Sequence, residues 1–222
     1  MGKLIYGKNT VLDAIKNKLP VKNLYILKKN SFNFSSDIKI KIIEKKEMDK
    51  ICNGNHQGFI AELKEFNYFS LEEIIKNKPN KILVLDRIQD PHNFGAILRT
   101  ANAFGYKYIM IAKDRQVDVT PTVLKVSSGG YINIKIIRVN SMSTAIKKLK
   151  ENGIWIYSTA IKNGISIKEI TFNEPFAIIL GNEGKGVSKT ILKLSDQNVF
   201  IPTEGTIQSL NVSVAAGIIL SK

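Results

Sequence analysis

The chain of 222 residues carries 33 Lys and Arg, and only four of these are arginines: Arg87, Arg99, Arg115 and Arg138. Where lysine is the habitual cation, an arginine marks a place that calls for a planar, forked, permanently charged group. Arg87 and Arg99 fall in one segment, Leu85-Asp-Arg-Ile-Gln-Asp-Pro-His-Asn93-Phe-Gly-Ala-Ile-Leu-Arg99-Thr-Ala101. An apolar strand there ends in a polar loop, and a helix is expected over Phe94–Phe104, capped by Asn93 and closed by Gly105. Arg99 sits mid-helix among Ile97, Leu98, Ala101 and Ala103, so it either faces an anionic ligand or holds a structural ion pair. Six residues turn a helix by about 240°, so Asn93 and Arg99 do not share a face. They could meet on one ligand through the cap position of the first and the long reach of the second.

Two further clusters lie downstream. Ile178-Ile-Leu-Gly181-Asn-Glu183-Gly184-Lys-Gly186-Val-Ser188 is a strand feeding a glycine-rich turn with one carboxylate in it. It is not a phosphate loop, because Val187 and Ser188 follow Gly186 where that motif needs Gly-Lys-Ser/Thr. It is not the dinucleotide fingerprint either, since Lys189 stands where the third glycine would fall. It reads as a plain strand-to-helix turn or as a turn that brings backbone groups close to a small ligand. In Phe200-Ile201-Pro202 through Gly217, a strand ends at proline, Ser209 can cap a helix of small residues, and Asn211 and Ser213 intrude into it.

The elements that position these clusters follow an α/β rhythm. Residues 1–64 form a small alternating unit: a helix capped by Asn9 with Val11, Leu12 and Ile15 on one face, strands at Leu24–Leu27, Ile38–Ile43 and Phe59–Leu63, and a short helix at Met48–Cys52. Residues 65–79 read as a linker containing a helix over Leu71–Ile75 and the turn Lys78-Pro79-Asn80. Over 80–222, near-continuous apolar runs at Ile82–Leu85, Tyr108–Ile111, Ile132–Ile137, Ile154–Tyr157, Phe176–Leu180 and Val199–Ile201 predict parallel strands buried on both faces. Helices at Phe94–Phe104, Thr144–Lys150, Val187–Leu192 and Leu210–Leu220 would cover that sheet.

Composition narrows the classes. A hydrophobic fraction of 44% supports a packed core, and the net charge of +14 suits a polyanionic partner as well as a simple lysine habit. No apolar run is long enough to span a bilayer, and the lysine-punctuated N-terminus lacks a signal-peptide core, so a cytoplasmic protein is expected. The single Cys52 reads as a core thiol, and His56 and His92 are the only histidines, so no metal site is expected. A nicotinamide-type dehydrogenase fails on the missing fingerprint.

Taken together, the clusters resemble the SpoU/TrmH-type 2′-O-ribose RNA methyltransferases of the SPOUT class. The matching signatures are Asp90-Pro91-x-Asn93-x-Gly95 with Arg99, then Leu180-Gly181-Asn182-Glu183-Gly184-x-Gly186, then Ile201-Pro202 with Ser209-Leu210-Asn211-Val212. Tyr6-Gly7-x-Asn9-x-Val11 and His56-Gln57-Gly58 are similar to the substrate domain of the 23S rRNA guanosine 2′-O-methyltransferases. The resemblance implies a small ribosomal protein L30e-like RNA-binding domain, then a parallel-sheet catalytic domain with a C-terminal trefoil knot. It implies S-adenosylmethionine as cofactor, held by Thr159, Gly181, Ile201 and Leu210. Asn93, Arg99, Glu183, Ser209 and Asn211 would line the reaction site, and Arg87 and His56 would touch RNA. It also implies a homodimer acting on a guanosine of 23S rRNA; a tRNA ribose methyltransferase and a non-catalytic RNA-binding factor of the same fold are the competing readings. Glu183 would accept a proton, or else orient Asn93 or the loop. Arg99 would act as a cation on a phosphate or a developing alkoxide, because arginine does not give up its proton in proteins. His56 would touch RNA or order its turn.

Overall fold

Lysines alternate with apolar residues along the first third of the chain, and the outcome is a small mixed sheet covered by two helices. The computed structural model describes residues 4–27, 38–161, 164–182, 184–206 and 209–222. The chain divides into two units, Met1–Asn67 and Tyr68–Lys222. In the first unit, β1 (Leu4–Tyr6) leads into α1 (Lys8–Lys16), followed by β2 (Val21–Ile26), β3 (Lys39–Ile42), α2 (Lys45–Ile51) and β4 (Phe59–Leu63). The sheet order is β1-β4-β2-β3; β3 runs parallel to β2, and the other pairings are antiparallel. Val11 of α1 and Met48 of α2 are fully buried with Leu24 and Ile60. Gly7, not Asn9, takes the N-cap of α1: its φ of +94° turns the chain from β1 straight into the helix. The second helix starts at Lys45, earlier than expected, because the Glu47 carboxylate accepts the Glu44 N–H and fixes its first turn.

The second unit begins before its main run of parallel strands. A linker is expected at 65–79, but the division falls after Asn67. Phe69 bridges to Ile137, and α3 (Leu71–Asn77) buries Ile74 completely in the core of this unit. The remaining order is β5 (Lys81–Asp86), α4 (Pro91–Ala103), β6 (Tyr108–Ala112), α5 (Pro121–Val126), β7 (Lys135–Val139), α6 (Met142–Glu151), β8 (Trp155–Thr159), β9 (Ile165–Ser166), β10 (Phe176–Gly181), α7 (Lys189–Leu194), β11 (Gln197–Phe200) and α8 (Val212–Leu220). The described strands make a seven-stranded sheet in the order β7-β6-β5-β10-β8-β11-β9, parallel throughout. All six residues of β10 are buried, as a strand covered on both faces requires.

Local chemistry moved several boundaries. Asp90, not Asn93, caps α4: its carboxylate accepts the His92 N–H at 2.8 Å, and Pro91 occupies the first helical position. Gly105, with φ +77°, follows the end of this helix as expected. Asn211, not Ser209, caps α8 by accepting the Ser213 N–H at 2.9 Å. The β7 strand starts at Lys135 instead of Ile132, because the chain from Ser128 to Asn133 is still turning, with positive φ at Ser128, Gly129 and Asn133. The α7 helix starts at Lys189, with Val187 buried beneath the preceding turn. The α5 helix was missed, although Thr120-Pro121 is a start signal: the threonine hydroxyl accepts the Val123 N–H at 3.3 Å.

Sheet order fixes where a ligand can sit. From β5 the chain steps outward through β6 to β7, then continues on the other side, where β10 inserts between β5 and β8. The C-terminal ends of β5 and β10 therefore lie side by side, with Asp86 opposite Gly181. In parallel α/β sheets, a reversal of this kind opens a crevice beyond the carboxyl ends of the strands.

Candidate active site

The turn after β10 is tied to the turn after β5 by a buried carboxylate. Asp86, almost fully buried, accepts the Ser188 N–H at 2.8 Å and the Arg87 Nε–H at 3.2 Å. The Asn182 side chain donates to the Arg87 carbonyl at 3.1 Å and accepts the Gly184 and Lys185 N–H groups at 3.0 and 3.2 Å. Gly186 N–H closes the loop onto the Asn182 carbonyl at 2.8 Å. A side chain at Gly181 could not exist here, because a Cβ would lie 2.1 Å from the Val187 nitrogen. Gly186 has φ +62°. These glycines serve close backbone approach and a left-handed turn, which a plain strand-to-helix link does not demand.

The folded-back turn, the end of β8 and the segment after β11 enclose a cavity of about 440 Å³. Thr159, Gly181, Ile201 and Leu210 all line it, and so does Ser209. Leu180, Val199 and Val212 add apolar wall, while Asn182 and Lys185 supply polar groups at the rim beside β5. The volume falls within the range of small-molecule sites, about 300–1,000 Å³. A slot walled by apolar side chains, with Asn182 and Lys185 among its polar lining, fits a flat heterocycle carrying a short polar chain.

The other expected residues divide into four groups. Asn93 and Asn211 meet: the Asn211 amide donates to Asn93 Oδ1 at 3.0 Å while its own oxygen caps α8. With Asp90 taking the cap of α4, the Asn93 side chain is released for this contact. Arg99 lies on the exposed face of α4, backed by Gly130, where a Cβ would come within 2.6 Å of the arginine Cα. Among the described residues it forms no ion pair. Glu183 lies outside the described residues.

Arg87 and His56 are engaged internally. The Arg87 guanidinium holds Asp86 and reaches the Gly186 carbonyl at 3.4 Å, so its first role is to lock the glycine turn. His56 is buried: Nδ1 accepts the Gly58 N–H at 3.0 Å, leaving Nε2 to donate to Asp49 at 2.9 Å. Gln57 accepts the Lys8 N–H at 3.1 Å, and a Cβ on Gly54 would run into the Tyr6 ring at 2.4 Å. The two N-terminal signatures therefore meet in one joint between α1 and β4, and His56 orders that turn from within. Asp86 and Asn182 were missed as organisers of the site. Asp86 was visible only as an acid ending an apolar strand, and its partner lies 102 residues away. Among the described residues, no group of three or more His, Cys, Asp or Glu could hold a metal, and no helix is long and apolar enough to cross a membrane.

Comparison with known proteins gives this geometry a family. Residues 80–221 match the SpoU rRNA Methylase family, and residues 4–69 match RNA 2′-O ribose methyltransferase substrate binding. YacO of Bacillus subtilis, named for the TrmH family of tRNA/rRNA methyltransferases, is 31% identical over 230 residues, spanning 97% of this chain and 92% of that protein. A similarly named protein of Staphylococcus saprophyticus is 33% identical over 231 residues, 98% of this chain and 93% of its own. The fold is shared with the SpoU methyltransferase AviRb of Streptomyces viridochromogenes, solved in complex with AdoMet, with a TM-score of 0.74 at 22% identity over 99% of this chain and 88% of that one. A TrmH/SpoU tRNA modifying enzyme of A. aeolicus aligns at 30% identity and TM-score 0.59 over 68% of this chain and 81% of that one.

Proposed function

Because the chain belongs to the SpoU rRNA methylase family, we propose that it transfers the methyl group of S-adenosylmethionine to a ribose 2′-hydroxyl of RNA, with a guanosine of 23S rRNA as target. The observation that carries this reading is the single cavity at the carboxyl ends of β8, β10 and β11 that gathers Thr159, Gly181, Ile201, Leu210 and Ser209. Those residues suit an adenosine and its methionine arm. AviRb, a relative in fold, was solved with AdoMet. S-adenosylmethionine brings a methyl group already activated on sulfur.

What remains for the protein is alignment and control of the accepting oxygen. The Asn93–Asn211 pair bridges α4 and α8 and sets the two helix starts against each other. Ser209 lies at the cavity wall, within the stretch that leads into this pair. The exposed Arg99 serves as a fixed cation for the RNA phosphate or the developing alkoxide. Glu183, in the glycine turn, is assigned the accepted proton or the ordering of that turn. The unit Met1–Asn67 is assigned to RNA recognition as an L30e-like domain, in line with its match to a substrate-binding family. The reading carries with it a knotted C-terminus, a cytoplasmic location and a homodimer. Val214 and Ile218, exposed one turn apart on α8, offer an apolar stripe for such a partner.

Calorimetry should show binding of S-adenosylmethionine, and tritiated-methyl transfer should label undermethylated 23S rRNA in preference to tRNA. The relative named as a tRNA modifying enzyme favours the second reading, and label entering only tRNA would establish it. Arg99→Ala should abolish turnover with cofactor affinity held within a few-fold; loss of cofactor binding instead would overturn the role given to Arg99.

A further inference from the structure

Beside the cofactor cavity lies a second cleft of about 280 Å³, lined by Arg87, Gln89, Arg115, Asn182 and Lys185. Asn182 and Lys185 line both spaces, so the cleft adjoins the rim of the first. It holds two of the four arginines of a chain in which lysine is the ordinary cation. Each of the other arginines can be placed. Arg138 pairs with Asp118 at 3.1 Å and lies over the Tyr68 ring, and Arg99 stands on α4.

The charge in the cleft is only partly neutralised. Arg87 is held by Asp86, whereas Arg115 and Lys185 form no ion pair among the described residues, and Asp114 next to Arg115 does not pair with it. Arg115 also has φ +57° and Arg87 φ +65°, a backbone region that residues with a Cβ seldom occupy. An exposed arginine held in that conformation costs stability, and such outliers concentrate where a side chain must be aimed. Behind it, Gln116 fixes the loop by accepting the Ile88 N–H at 2.8 Å, tying the segment after β6 to the segment after β5.

We infer that this cleft is a phosphate subsite for RNA: Arg115 and Lys185 clamp a backbone phosphate next to the nucleotide presented to the cofactor cavity, with Gln89 as a neutral donor. The inference rests on the proposed function. A forked guanidinium matches phosphate oxygens in pairs, which explains arginine in place of the habitual lysine. Two cations without an ion pair among the described residues, in an open, polar cleft, suit a polyanion passing through, and the shared rim puts that polyanion where the reaction needs it.

The test is RNA binding and methyl transfer by Arg115→Gln and Arg115→Lys, using an unmodified 23S rRNA transcript over a range of potassium chloride concentrations. Arg115→Gln should weaken RNA binding about tenfold and reduce the slope of log Kd against log salt by about 0.7–1, the loss of one phosphate contact. Arg115→Lys should restore the slope and part of the affinity. Both variants should bind S-adenosylmethionine as the wild type does. An unchanged salt slope in Arg115→Gln overturns the inference, whether or not affinity falls. So does a tenfold loss of cofactor affinity, which would make the cleft a seat for the cofactor's carboxylate. Wild-type protein that methylates no RNA would sink the proposed function instead, while the salt slope still judges the cleft.

Discussion

Asn211 does two things with one amide. Its oxygen caps α8 and its nitrogen reaches Asn93, which is why a residue that looks like a polar intrusion in a helix of small side chains sits where it does. The two duties can be separated. Asn211→Ser keeps a competent cap, so the thermal midpoint should stay within about 2 °C, while the lost bridge to Asn93 should lower methyl transfer at least tenfold. Asn211→Ala should lose both, with about 1 kcal/mol of stability gone with the cap. A serine variant with normal turnover would reduce the pair to scaffolding. The sequence marks Asn93, Arg99 and Asn211 by type and spacing. It does not show that Asp90 takes the cap of α4 while Asn93 pairs with Asn211, because a helix start with Asp-Pro and Asn within four residues has two competent caps.

At the scale of elements, α4 is set in place by missing side chains. Gly95 lets α5 approach so closely that a Cβ would lie 2.7 Å from Val126 Cβ and 2.8 Å from the Val123 carbonyl. Gly95→Ala should therefore push α5 away and cost about 1–3 kcal/mol, measured by denaturant unfolding; an unchanged midpoint would show that α5 yields freely. The loop after α4 buries Tyr106, whose hydroxyl has no partner among the described residues. Burial pushes its pKa up to about 12 from the ordinary 10. The unfolded chain ionises first, so the stability held below pH 10 is lost as pH rises from 10 towards 12. Tyr106→Phe should flatten that alkaline limb of the unfolding curve and leave neutral stability equal or higher, since an unsatisfied buried hydroxyl is removed.

For the whole molecule, the proposed homodimer would bury the α8 stripe of Val214 and Ile218, which is exposed here. Val214→Lys with Ile218→Lys should convert a dimer into a monomer by light scattering, with the thermal midpoint of the monomer unit nearly unchanged; a wild-type monomer would remove the homodimer from the reading. The same scale governs the site itself. Asp86 and Ser188 stand 102 positions apart and meet only because β10 inserts beside β5, so no local pattern could announce their bond.

Read alone, the chain determines its α/β character, most of its strands and the glycines that must approach backbone, and it marks the residues proposed for methyl transfer. Periodicity, turn chemistry and residue type act over a few positions, and a sequence records those directly. Which cap wins at α4 and α8, that His56 turns inward, that Arg87 holds Asp86, and that Arg115 borders the same rim as Lys185 are decided by tertiary structure. Each depends on the strand order, which brings distant segments together and is written in no single stretch of residues.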